Sequence, residues 1–237
     1  MPLNPLLILQ HVAHEGPGLF GEFLKVKNIG VDIVNIYDAH CLPNPSDYKA
    51  VITLGGPQSA NDRDAAMQRE LRNLEGILRD EIPYLGVCLG MQTLVQAAGG
   101  QVVPCRTKET GWHRANGSPY HVELTVAGIQ DPLLTGLHPR IGVFQLHGET
   151  VELSTTTTLL GTAPDCTNQL VRVGSKAYGI QSHVELTRSM LEAWATIDPD
   201  LAQLDRTELT NTYALNATSY QATASSLFEN FLAIAGI

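Results

Sequence analysis

The sequence predicts an α/β fold: a doubly wound, mostly parallel sheet with helices on both faces and an antiparallel β extension. Three observations carry this. Short apolar runs alternate with helical patterns over the first hundred residues, as strand–helix–strand units of a parallel sheet do. Glycines punctuate the ends of those runs, at "LGGP" and "LGVCLG". Between about residues 101 and 173 the helical patterns give way to strands separated by turns.

Taken in order, Leu6–Val12 reads as a short buried strand. "GLFGEFLKVKNIG" places Leu19, Phe23 and Val26 on one helical face and stops at Gly30. "VDIVNIYD" alternates and is rich in β-branched residues, which suits a second strand; "AVITLGGP" is a third. "DAAMQRELRNLEGILRDE" is helical, with Ala66, Leu71, Leu74 and Leu78 near one side. "IPYLGV" is a fourth strand, and "LGMQTLVQAAGG" a helix closed by glycines. "HVELTV", "IGVFQLH", "TLLGTA" and "QLVRVG" are the strands of the antiparallel extension, and "AYGIQSHVE" returns to a buried strand. Helices follow in "LTRSMLEAWATI" and near 218–235, where Leu227, Phe231 and Ile234 share a face. A length of 237 residues fits one domain over 1–237, with C-terminal helices after about residue 186.

The formal net charge is −9 and the pI about 5.3. Such a surface repels phosphate backbones and anionic headgroups, so nucleic acid and membrane surfaces are not expected partners. "MPLNPLLILQHVAHEGPG" has no basic leader and no small-residue cleavage site, and Leu6–Leu9 is too short to span a bilayer. A cytoplasmic protein is expected. Cys41, Cys88, Cys105 and Cys166 are scattered with no C-x-x-C pair, which argues against a zinc site or a disulfide framework.

Cys88 stands apart because it lies between Gly86 and Gly90, where a strand becomes a helix. A nucleophile on such a turn is strained and needs small neighbours. The helix beginning near Leu89 points its amino end at the sulfur and favours the thiolate, and the Leu89 N–H would face a developing oxyanion. The alternative is a small buried hydrophobe, and for Cys41, Cys105 and Cys166 that alternative wins. A cysteine nucleophile needs a base, and the base an orienting group. In "GIQSHVELT", alternation points His183 and Glu185 the same way, so the carboxylate could hold the imidazole in its working tautomer. A core histidine and a helix-start acid are the structural alternatives. Gly55-Gly56-Pro57 after a strand makes a tight turn able to offer an N–H to a substrate oxygen, or is ordinary punctuation.

Together, "LGGP", "GVCLGMQ" and "GIQSHVELT" resemble, in order and spacing, the class I (triad) glutamine amidotransferases. "VFQLHGETVEL" resembles the subgroup near the amidotransferase domain of GMP synthase, which also includes stand-alone γ-glutamyl peptidases. The resemblance implies a flavodoxin-like fold of that family. It makes Cys88 the nucleophile that forms a γ-glutamyl thioester, His183 the base and then the acid, and Glu185 its orienting group. It gives the oxyanion hole to the N–H groups of Gly56 and Leu89 and a substrate contact to Gln92, with His147 as a weaker pocket candidate. Trp112-His113 reads as packing. The half-reaction it implies uses no metal and no organic cofactor.

Two residues depart from the family pattern: Val184 replaces a proline and Ser182 an aromatic. Loss of the proline loosens the His183–Glu185 geometry, and Ser182 implies altered specificity. No Walker-type loop and no Ser-Gly-Gly-x-Asp signature is present. The expected substrate is therefore glutamine, with ammonia passing to a separate synthetase, or a γ-glutamyl peptide hydrolysed by the same triad. A non-catalytic binding or regulatory member of the fold is the alternative of another class, and retention of all three triad residue types argues against it.

Overall fold

The computed structural model describes residues 5–237; the first four residues, part of the stretch read above for a leader, lie outside them. Parallel strands β1 (Leu6–Gln10), β2 (Val31–Asn35), β3 (Ala50–Thr53) and β4 (Tyr84–Val87) are joined through helices α1 (Gly18–Val26) and α2 (Ala65–Arg79) and an irregular crossover between β2 and β3. α3 (Leu89–Ala97) leaves β4 directly. The chain continues through β5 (Gln101–Gly111), β6 (His121–Leu124), the short α4 (Val126–Ile129), β7 (Arg140–Gly142), β8 (Gln145–Glu152), β9 (Thr157–Thr162), β10 (Leu170–Val173) and β11 (Ala177–Ile180). It ends in α5 (Arg188–Ile197) and α6 (Arg206–Ala235).

The main sheet has the order β2-β1-β3-β4-β11-β10-β9-β6-β7. β11 pairs in parallel with β4, and from β11 outward the pairing is antiparallel. This is the expected doubly wound sheet with its antiparallel extension. β1, β3, β4 and β11 are buried on both faces, which is why they read as apolar runs rather than alternating ones. One face packs Leu6, Ile8, Ile52 and Leu85 against Phe20, Phe228 and Phe231; the other packs Leu7, Leu9 and Val51 against Leu74 and Ile77.

Four details differ from the sequence reading. α1 buries Phe20 and Leu24, and Val26 is 83% exposed, because Phe20 stacks on Phe228 at 4.7 Å and sets the rotation of the helix. "IGVFQLH" is not one strand: it breaks at Val143-Phe144, sending β7 to the main sheet and β8 to a separate two-stranded ribbon with β5. β5 itself, which contains Pro104 and a register shift, carries no clear alternation. α6 begins at Arg206, capped by Asp205, whose carboxylate accepts from the N–H groups of Thr207 and Glu208.

Candidate active site

β3, β4 and β11 end side by side, with Thr53 opposite Gly86 and Val87 opposite Ile180. Their carboxyl ends bring Leu54–Gly56, Cys88 and Gln181–Glu185 together, at the edge where open α/β sheets bind ligands. Cys88 has φ +52° and ψ −107°, and its N–H donates to the Ile180 carbonyl at 2.7 Å. Among the described residues, the other non-glycine positions at positive φ, Asn28 and Glu81, follow helices; Cys88 starts one. Such a conformation costs about 1–3 kcal/mol and persists only where the surroundings enforce it. Here they do. A Cβ on Gly86 would stand 2.2 Å from the Gly90 carbonyl oxygen, and one on Gly90 would stand 2.3 Å from that of Thr53. The two glycines let α3 lie directly on the strands.

The Cys88 sulfur is nearly buried. It lies 3.8 Å from the Leu146 carbonyl and 3.8 Å from Gln181 Nε2. His183 lies close enough for its ring to feel the charge of the Cys88 sulfur. His183 is clamped along its backbone: its N–H donates to Phe144 O (2.9 Å) and its carbonyl accepts from the Tyr220 hydroxyl (2.8 Å). Trp194 meets the ring edge-on at 4.9 Å. Nδ1 lies 2.8 Å from Glu185 Oε1, and the network assigns the Nδ1 proton to that bond, which leaves Nε2 for the sulfur. Burial alone would push His183 toward the neutral form. The Glu185 carboxylate and the Cys88 sulfur outweigh it and hold the histidine well above its usual pKa.

Val184 contributes more than the lost proline suggests. Its N–H donates to Glu185 Oε2 at 2.9 Å, a bond proline cannot make. Glu185 thus receives a donor on each oxygen, one from the ring and one from the backbone. The geometry is not loosened at this position, because a hydrogen bond replaces the ring constraint. Ser182 is fully buried, and its hydroxyl makes no hydrogen bond within the described residues.

The Gly55-Gly56 turn lies against the pair. A Cβ on Gly55 would meet Glu15 Oε2 at 2.5 Å, His183 Cε1 at 3.0 Å and Cys88 Cβ at 3.6 Å. Leu89 opens α3, so its N–H is one of the helix donors without an intrahelical acceptor. His11, not singled out in the sequence, supports the turn from behind. Its Nδ1 lies 3.1 Å from Leu54 O and 3.0 Å from Gly55 O, and its Nε2 lies 2.9 Å from Glu70 Oε2. Thr93 Oγ1 donates to the other Glu70 oxygen at 2.9 Å, tying α2 to α3. Burial lowers the His11 pKa, but Glu70 and the Gly55 carbonyl raise it further, so the net shift is upward. A signal was available: Glu70 lies among the apolar positions of α2, where an unpaired carboxylate is costly.

Gln92 Nε2 donates to Glu149 O (3.0 Å) and Gln181 Oε1 (3.3 Å), so it reaches Cys88 through Gln181. Gln181 was also overlooked, although it stands two residues before His183, just as Glu185 stands two after. His147 lies on the β5–β8 ribbon with both ring nitrogens engaged: Nε2 with Glu109 Oε2 at 2.9 Å, Nδ1 with Glu149 O at 3.0 Å. Glu109 Oε2 also accepts from Gln169 Nε2 at 2.8 Å. Glu109, His147 and Cys166 bring three metal-capable atoms within 4.8 Å of one another, all buried. Trp112 packs against Phe144, Tyr213 and Tyr220, and its indole N–H donates to Leu209 O. With His113 it lines a surface cavity of about 560 Å³ that does not include Cys88.

Comparison with known proteins places the chain in a family. Residues 21–193 match the family model "Glutamine amidotransferase class-I". The chain is 34% identical over 157 residues to a GMP synthase [glutamine-hydrolyzing] of Porphyromonas gingivalis, a match covering 65% of this chain and 28% of that protein. It is 26% identical over 190 residues to the glutamine amidotransferase-like protein YfeJ of Salmonella typhimurium, covering 77% of this chain and 76% of that one. The chain thus spans little more than a quarter of the GMP synthase and about three quarters of YfeJ. A crystal structure of a glutamine amidotransferase from Thermotoga maritima superposes with a TM-score of 0.86 at 26% identity, covering 98% of this chain and 99% of that one.

Proposed function

Because the chain belongs to the class I glutamine amidotransferase family, we propose that it hydrolyses the side-chain amide of glutamine through a γ-glutamyl thioester on Cys88, as one domain of that type. The observation that carries the reading is the strained Cys88 set beside a histidine, across the Gly55 turn, whose Nδ1 is held at 2.8 Å by Glu185. Sγ attacks the amide carbon as its proton passes to His183. The oxyanion is received by the N–H groups of Leu89 and Gly56. His183 then gives its proton to the departing nitrogen, the C–N bond breaks and ammonia leaves. Water, deprotonated by His183, cleaves the thioester to glutamate and restores the thiol. The raised pKa of His183 suits it to the acid step. Gln181 lines the sulfur, and Gln92 holds Gln181 there.

The similarity to glutamine-hydrolysing GMP synthases supports a separate acceptor for the ammonia. The second reading, a stand-alone γ-glutamyl peptide hydrolase, draws on Ser182: a small buried residue stands beside His183 where the family carries an aromatic. No helix among the described residues is long and apolar enough to cross a membrane.

The test is glutamate release from L-glutamine and from γ-glutamyl peptides, with Cys88→Ala as control. Turnover of glutamine that falls at least ~1000-fold in Cys88→Ala is expected. Undiminished turnover in that variant would refute the assignment.

A further inference from the structure

Glu15 is a carboxylate at the edge of the Cys88–His183 pair that the thioester chemistry does not use. It lies in the loop between β1 and α1, and that loop is clamped to the site. The Trp194 indole N–H donates to His14 O at 2.8 Å, while the same ring rests on His183. Leu19 N–H donates to Glu185 O at 2.8 Å. Gly18, at φ +48°, approaches Glu185 so closely that a Cβ there would stand 2.0 Å from the Glu185 carbonyl oxygen. The loop is therefore registered against both His183 and Glu185.

The Glu15 side chain is 12% exposed. His14 Nε2 lies 4.0 Å from its Oε1, beyond hydrogen-bond distance. Its Oε2 fills the space a side chain on Gly55 would take, together with His183 Cε1 and Cys88 Cβ. Burial, and the negative charge of Glu185, raise its pKa; His183, His14 and His11 oppose this. A largely buried carboxylate is thus held beside the reacting atoms without a hydrogen-bond donor of its own.

The part of the substrate closest to it follows from the chemistry. The departing nitrogen must come within hydrogen-bond reach of His183 to take its proton. The substrate α-amino group is four bonds from the scissile carbon, on the other side of it. A carboxylate bordering His183 therefore faces the leaving group.

We infer that Glu15 selects γ-glutamyl amides by the charge of the departing amine: it favours ammonia and amines carrying a second, positive amino group, and rejects amides of amino acids, whose α-carboxylate would be driven against it. This rests on the reading of the site as a γ-glutamyl hydrolase. Discrimination of this kind comes from a repulsive element, a desolvated like charge, as much as from an attractive one. It favours glutamine over γ-glutamyl peptides as the substrate class.

Wild type and Glu15→Gln are compared on L-glutamine, the γ-glutamyl monoamide of 1,4-diaminobutane and γ-glutamylalanine. In wild type, kcat/KM for γ-glutamylalanine is expected to be about 100-fold below that for glutamine. Glu15→Gln should narrow that gap about 10-fold and weaken use of the diamine amide. Unchanged ratios would overturn the inference. A second measurement needs no turnover: the rates at which cationic 2-bromoethylamine and anionic iodoacetate alkylate Cys88, followed on the Cys88 peptide by mass spectrometry. Glu15→Gln should shift that ratio about 10-fold toward iodoacetate. If wild type hydrolyses none of the amides but the alkylation ratio shifts, the hydrolase reading fails and charge selection by Glu15 stands. If the ratio does not move, the role of Glu15 is refuted whatever the turnover.

Discussion

Restoring the family's proline at position 184 is expected to weaken this protein. Val184→Pro deletes the N–H that donates to Glu185 Oε2 at 2.9 Å. Both side chains of the His183–Glu185 pair are 2% exposed, so water does not replace the donor. A hydrogen bond to a charged group contributes about 1.5–3 kcal/mol, and a carboxylate oxygen left unpaired in a buried site forfeits it. Proline gives some of this back by restricting the unfolded chain, about 0.4–1 kcal/mol where its φ fits. The hydrogen-bond term wins, leaving a loss of about 1–2 kcal/mol. For a chain of this length each kcal/mol moves Tm by about 2–4 °C. A drop of about 2–8 °C by calorimetry is expected. The same change should lower the His183 pKa less than Glu185→Gln does, since it leaves the carboxylate charge in place. A Val184→Pro protein with an unchanged or higher Tm would refute the idea that the backbone N–H replaces the ring constraint.

Gly90→Ala tests the packing of the nucleophile turn: its Cβ would lie 2.3 Å from Thr53 O, which is backbone and cannot rotate away, so a loss of about 1–3 kcal/mol is expected in denaturant unfolding. A variant as stable as wild type would show that α3 can move off β3. The His11–Glu70 pair links stability to pH. Because the folded His11 pKa is raised, its contribution is full below about pH 6.5, the unfolded value, and is lost as pH rises through the folded value. His183 contributes with the same sign. Glu70→Gln should therefore flatten, without abolishing, the fall in denaturant midpoint as pH rises above about 6.5; an unchanged slope would count against a charged His11.

Much of the fold was legible because its central strands are covered on both faces. Burial on both sides forces apolar runs at β1, β3, β4 and β11, and close approach demands the glycines around Cys88: Gly86 against the Gly90 carbonyl, and Gly90 against Thr53 of the neighbouring strand. The pairing of His183 with Glu185 could be read for the same reason, since alternation in an extended segment is local. The first half of α6 could not. "RTELTNTYALNA" is rich in threonine and asparagine, which have low helix propensity. It is helical because Leu209, Tyr213 and Tyr220 join the cluster around Trp112 and Trp194, a contact no local pattern announces.

The sequence by itself determined the alternation of strands and helices in the first hundred residues, the glycine-flanked position of Cys88 and the two-residue step between His183 and Glu185. These are patterns of residues a few positions apart. Only the tertiary structure decided what surrounds them. It set His11 and Glu70 behind the Gly55 turn, 59 residues apart in sequence, and Gln181 against the sulfur, 93 residues from Cys88. It also laid Glu15 and the Trp194 ring against His183. Long-range neighbours follow from strand order and loop packing, and residue spacing along a chain carries no record of either.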